Sequence, residues 1–239
     1  MKLIIVPDVH LTTESSNEYK LVNKFISRQK PDEVVLLGDF MDCASLSHWD
    51  DNKARVIEGK RFKEEVRLAN KELDFLQRYS GKVTYLEGNH ENWVEQYIDK
   101  HPEMEGIIEL PLSLHLADRG IEWCPYNELY KVGKLYFTHG CYITKYHANK
   151  HMQVFGCNIV YGHTHNTQTA MHNMKMQHIY QAYGLGCLCD HKPKYMKNRP
   201  ANWINQFAVV YIDDTDGDFN LYPVNIINSK FIWNGVTYR

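Results

Sequence analysis

No stretch of this chain approaches the ~20 consecutive apolar residues that a membrane-spanning helix needs. The opening MKLIIVPDVH offers only Leu3 to Val6 before Pro7 and a charge. A signal-peptide pattern is missing too, which leads us to expect a cytoplasmic location and no membrane partner. No block of like charge is present. Lys and Arg total 27 against 29 Asp and Glu, a formal net charge of −2. That balance gives no support to a long nucleic-acid track, whose affinity rests on many Lys and Arg contacts. No Pro/Gly/Ser-rich linker and no internal repeat interrupts the sequence, so 1–239 reads as a single domain. The spacing of paired zinc or redox cysteines is also lacking. Six cysteines occur, and Cys187 and Cys189 are separated by one residue rather than two. A chain of this size needs no disulfide staples, and reduced core or loop thiols are expected.

Apolar side chains are plentiful. Hydrophobic residues make up 44% of the 239 positions, enough to bury a sizeable core. Leu3 to Val6, Val34 to Leu37 and Val83 to Leu86 are short, fully apolar runs of the kind that form buried strands. Between them lie two amphipathic stretches, 18–29 and 61–79, with apolar residues at helical spacing. Strand, helix, strand, helix, strand predicts a parallel sheet covered by helices. After residue 105 the texture changes to short strand-like segments: 121–124, 130–132, 134–138, 158–161, 177–182 and 206–212. The second half therefore reads as a second sheet. Asp213 to Asp218, DDTDGD, reads as a hairpin turn, because the glutamate of a calcium loop is absent.

Thirteen histidines are many for this length. Their placement matters more than their number. Asp8-Val9-His10 follows the first apolar run, and Gly38-Asp39-Phe40-Met41-Asp42 follows the second. Gly88-Asn89-His90-Glu91 follows the third. His139-Gly140 follows Tyr136 to Thr138, and Gly162-His163-Thr164-His165 follows Val160-Tyr161. Ligands of open α/β sheets bind beyond the carboxyl ends of the strands. Five strand ends would deliver Asp, His, Asp, Asn and three further His to one edge. The glycine of GHTH is expected to let the backbone bend so that both rings converge.

This ordered series resembles the calcineurin-like metallophosphoesterase superfamily over residues 8 to 165. The resemblance implies a four-layer αββα sandwich of two mixed β-sheets flanked by helices, with a two-metal site at the carboxyl ends of the strands. It implies that Asp8, His10 and His165 hold one metal, that Asn89, His139 and His163 hold the other, and that Asp39 bridges both. Oxygen and imidazole donors suit two divalent ions such as Mn, Fe, Zn, Co, Ni or Mg, with Mn favoured. The metals would activate a water for attack on a phosphoester, and His90 would serve the leaving group. Asp42 and Glu91 are expected to orient ligand histidines.

Protein Ser/Thr phosphatases of that superfamily continue the second and third motifs with arginines. Here Cys43-Ala44 and Asn92-Trp93 stand in those places, which argues against that substrate class. The sequence instead suggests a phosphomonoesterase acting on small nucleotide-like substrates. A phosphodiesterase or nuclease, cleaving cyclic nucleotides or DNA, is the alternative, and a non-catalytic binding module is the reading outside enzymology. Three segments are candidate substrate walls: Cys141–His151 with Lys145 and His147, Leu46–Arg61 with His48 and Trp49, and Asp190–Trp203. Aromatic and Met residues within 166–205 make a homodimer plausible.

Overall fold

The computed structural model describes residues 1–239 except 13, 48–52, 174–178 and 191–200. The expected walls around His48 and Trp49, and the basic run from Lys192 to Arg199, lie outside the described residues.

The first sheet contains β1 (Lys2–Val6), β2 (Glu33–Leu36), β3 (Lys82–Leu86) and β4 (Glu122–Cys124) in parallel. The second contains β5 (Tyr130–Val132), β6 (Leu135–Thr138), β7 (Asn158–Tyr161), β8 (Gln168–Asn173) and β9 (Ile179–Gly184), in the order β5-β6-β7-β9-β8. The last strands are β10 (Gln206–Ile212), β11 (Phe219–Asn225), β12 (Phe231–Trp233) and β13 (Val236–Tyr238). Here the sequence expectation needs correcting. The second half does not form the second sheet alone: β4, β10 and β11 join the first, in the order β11-β10-β1-β2-β3-β4. β10 pairs antiparallel with β1, Leu3 opposite Val210. A short strand-like segment does not reveal which sheet it will join, because that is settled by partners far away in sequence, as when β10 meets β1 and β4 meets β3. The DDTDGD segment is the expected turn between β10 and β11, with the Asp213 amide donating to the Asp218 carbonyl at 2.7 Å.

The helices are α1 (Asn17–Gln29), α2 (Ala54–Ile57), α3 (Phe62–Tyr79), α4 (Asn92–Lys100), α5 (Leu110–Ser113), α6 (Leu116–Arg119) and α7 (His147–Phe155). Ser16 caps α1 by accepting from the Tyr19 amide at 3.0 Å.

Alternation along the strands builds the layers. Ile4, Val6, Val34 and Leu36 face one way, against Val22, Phe25 and Ile26 of α1 and Leu68, Ala69 and Leu73 of α3. Leu3, Ile5, Val35 and Leu37 face the other way and meet Leu135, Phe137 and Val160 of the second sheet. Ile159 and Tyr161 then turn outward to Ala148 and Met152 of α7. Three apolar layers thus separate four structural ones, the αββα sandwich expected from the sequence.

Candidate metal centre

The carboxyl ends of β1, β2, β3, β6 and β7 open on one edge, and each is followed by one of the polar motifs. The turns that follow are strained. Asp8, His10, Asp39, His163 and His165 all have positive φ, between 36° and 67°. Non-glycine residues rarely adopt that region, which costs about 1–3 kcal/mol each and clusters at functional sites. Glycines allow the loops to touch. A Cβ on Gly88 would lie 2.2 Å from the Asp39 amide nitrogen, and one on Gly162 would lie 2.1 Å from Asp8 Oδ2. Gly162 is therefore required for close approach to Asp8, not for the bend expected of it.

Two groups of donor atoms result. In the first, His165 Nε2 lies 3.1 Å from His10 Nε2 and 3.3 Å from Asp8 Oδ1. In the second, Asn89 Oδ1 lies 2.9 Å from His139 Nε2 and 2.7 Å from His163 Nδ1. Asp39 Oδ2 belongs to both, 3.6 Å from His10 Nε2 and 3.4 Å from His139 Nε2. Asp8, His10, Asp39 and His165 can present one donor atom each within 4.8 Å of one another, and so can Asp39, His139 and His163. All seven residues expected as ligands are thus brought to one place.

The chemistry of the set fits cations. His139 Nδ1 donates to the Leu37 carbonyl at 3.0 Å. In the neutral ring, Nε2 then carries a lone pair that faces two oxygens, and only a proton or a metal ion relieves that contact. Without metal, protons supply the positive charge. Burial alone would lower His139, but the neighbouring Asp39 charge lifts it to about 10. Likewise His90 rises to about 9 against its burial, through Asp39 and then Asp42. Burial raises Asp8 to about 7, assisted by the Asp39 charge. Asp39 is buried as well, yet the His139 and His90 charges hold it well below the usual carboxylate range. His163 drops to about 4 through burial and the His139 charge.

The neighbours of these groups divide into expected and missed. Asp42 stands against one expected ligand and against His90: its Oδ1 lies 3.2 Å from both His10 Nδ1 and His90 Nδ1. Those two contacts hold its carboxyl low despite burial. Glu91 differs from its expected role, because it touches no ligand histidine. Its carboxylate instead accepts from the Asp39 and Met41 amides at 2.9 Å, the Gly88 amide at 3.0 Å and the Tyr85 hydroxyl at 2.8 Å. It clamps two ligand loops together through their backbones. The expected substrate contact of His147 does not fit either. The ring is 3% exposed and lies against the Tyr161 hydroxyl at 2.5 Å. Nor is α7 the solvated surface that its polar sequence suggests, since His151 is fully buried and accepts from the Cys141 amide at 3.2 Å. Lys145 is exposed, with its ammonium 5.3 Å over the Tyr146 ring.

Two contributors, Trp93 and Cys189, were not foreseen, and a third, Trp203, ends one of the expected walls. Trp93 lies against the His90 ring at 3.9 Å between centroids. Its position three residues on, in what proved to be the first helical turn, was a usable signal. Trp203 meets the His165 ring edgewise at 4.4 Å. The Cys189 thiol lies 3.8 Å from His165 Nδ1. The Leu188 amide donates to the Asp8 carbonyl at 3.0 Å and fixes that loop beside β1. None of the six cysteines is in a disulfide.

Among the described residues, no helix is long and apolar enough to cross a membrane. The chain is similar along 98% of its length to the gene 54 proteins of Mycobacterium phage L5, at 25% identity, and of Mycobacterium phage D29, at 27%. Each match covers 97% of the phage protein. In structure it resembles Vps29 of Entamoeba histolytica, both a single mutant (TM-score 0.52, 13% identity, 100% of each chain) and the wild-type protein complexed with Zn (TM-score 0.52, 11% identity, 97% of this chain and 96% of that one). Those identities speak for the fold alone. The sequence pattern of the calcineurin-like phosphoesterases matches residues 1–167, the span that carries every donor gathered at this edge, and the chain belongs to that family.

Proposed function

We propose that this protein is a phosphohydrolase that uses two divalent metal ions, and that its substrate is a small nucleotide-like phosphomonoester. The observation that carries the reading is Asp39 Oδ2, a buried carboxylate oxygen shared by two groups of imidazole and oxygen donors. Asp8, His10 and His165 would hold one ion, Asn89, His139 and His163 the other, and Asp39 both. Such a pair supplies Lewis acidity toward the phosphoryl group.

The protein's own residues do the rest. The Asp39 Oδ1 oxygen accepts from the His90 amide at 2.9 Å, which fixes His90 beside the donors. His90 Nδ1 is held by the Asp42 carbonyl at 2.8 Å, and Trp93 backs the ring. This leaves Nε2 to carry the mobile proton. A protonated ring held in this way can donate to a departing alkoxide. Half-buried Trp203 offers a flat surface beside His165 on which a base can lie.

The test is to strip the protein of metal, restore Mn, and supply nucleoside 5′-monophosphates together with a single-stranded oligonucleotide. Inorganic phosphate with the oligonucleotide intact is the expected result. A shortened oligonucleotide with little phosphate would make it a nuclease. Stoichiometric metal with no ester turned over would make it a binding module. His90→Ala should slow hydrolysis of a nucleoside monophosphate by about 10²–10⁴-fold, and of a nitrophenyl ester much less, because that leaving group needs no proton.

A further inference from the structure

A second feature, walled in part by the chain that follows Asp42, is left unused by the proposed reaction. Ser45, Arg55, Ile57, Glu58, Lys60 and Arg61 line an open cleft of about 550 Å³. That volume falls within the range of small-ligand sites. Three cations and one carboxylate line it, in a chain whose overall formal charge is −2. Among the described residues, none of Arg55, Lys60 and Arg61 forms an ion pair with a carboxylate. Arg61 reaches the neighbouring Lys60 carbonyl, at 2.7 Å. Guanidinium groups around a concavity are suited to phosphate, which they can grip through two parallel hydrogen bonds.

The cleft adjoins the metal centre through one short piece of chain. Ser45 stands three residues after Asp42, so the two Cα atoms are at most ~11 Å apart. Asp42 touches His10 and His90, while the Ser45 hydroxyl donates to Glu65 of α3 at 3.4 Å. The loop after β2 therefore carries a residue of the catalytic edge at one end and a cleft wall at the other.

We propose that this cleft binds a second phosphate of the substrate, so that a nucleotide bearing phosphates at two positions is preferred over a monophosphate. The proposal rests on the phosphohydrolase reading for its substrate, and on the cleft alone for its anion.

Two measurements separate these. First, metal-free protein is titrated with pyrophosphate by calorimetry at low ionic strength. Wild type binds, Arg55→Ala/Arg61→Ala binds about tenfold more weakly or worse, and Glu58→Lys binds more tightly, a gain that misfolding does not mimic. No binding by wild type, or equal binding by all three proteins, overturns the proposal. This result decides the cleft even if no ester is ever hydrolysed. Second, the Mn-loaded protein is given adenosine 3′,5′-bisphosphate or adenosine 5′-monophosphate. The ratio of kcat/KM values should favour the bisphosphate about tenfold and fall to about one in the double variant. A ratio that the double variant leaves unchanged overturns the proposal.

Discussion

The two groups of donors sharing Asp39 are held in place by different means. In one, His139 is locked by the Leu37 backbone carbonyl. In the other, His10 leans on the Asp42 carboxylate and His165 on the Cys189 thiol. A backbone partner survives any change of side chain at its position. A side-chain partner can be lost in one substitution. The Asp8/His10/His165 group is therefore the adjustable half, and the Asn89/His139/His163 group the fixed half. Partners of this kind set the tautomer, orientation and basicity of a ligand histidine.

The largest expected effect removes the frame common to both halves. Glu91→Ala leaves three buried backbone amides and a tyrosine hydroxyl without their acceptor, and should lower the free energy of unfolding by about 4 kcal/mol. Urea denaturation of the metal-free protein would measure it. A variant as stable as wild type would mean that the clamp is redundant.

Next comes Asp39→Asn, which keeps the shape and removes the shared charge. Hydrolysis should fall by about 10²–10³-fold, and both ions should bind more weakly in a calorimetric Mn titration. Loss of one ion only would break the picture of a shared oxygen.

The direct comparison of the halves is Asp42→Asn. One Mn should weaken by about 10–100-fold while the other keeps its affinity. The smallest effect expected is that of Cys189→Ala, about tenfold or less on the same ion, because a thiol is a weak hydrogen-bond partner. If both ions weakened equally in either variant, the division into an adjustable and a fixed half would be wrong.

Legibility followed the range of the interactions involved. The apolar strands of the core, the helix over 61–79 and the five polar motifs were readable because each is written in consecutive residues, whereas the more exposed β8, β11, β12 and β13 were not. The four layers came from the family resemblance that those motifs carry, not from alternation, because the central strands are apolar on both faces. What was missed depends on residues far apart in sequence meeting in space. Cys189 matters only because its loop is pinned to Asp8, and Trp203 only because it meets His165. Glu91 was noticed for the right motif but assigned the wrong partners, because a carboxylate in sequence does not announce whether amides or imidazoles will surround it. His147 and His151 look solvent-facing in a polar helix, yet a hydroxyl and an amide buried beneath the helix receive them.

The pairing of β1 with β10 also bears on how the chain is made. β1 leaves the ribosome before β2 and finds it within some thirty residues, since Leu3 pairs with Glu33. Its other edge waits for Val210, which is synthesised roughly ten seconds or more later at ordinary elongation rates. Throughout that interval Leu3, Ile4 and Ile5 expose a row of unpaired amides and carbonyls, the template on which strands from other chains can add. The nascent protein therefore passes through a long period with an apolar edge uncovered, and its yield in a cell should depend on how well that edge is shielded until the last third of the chain arrives.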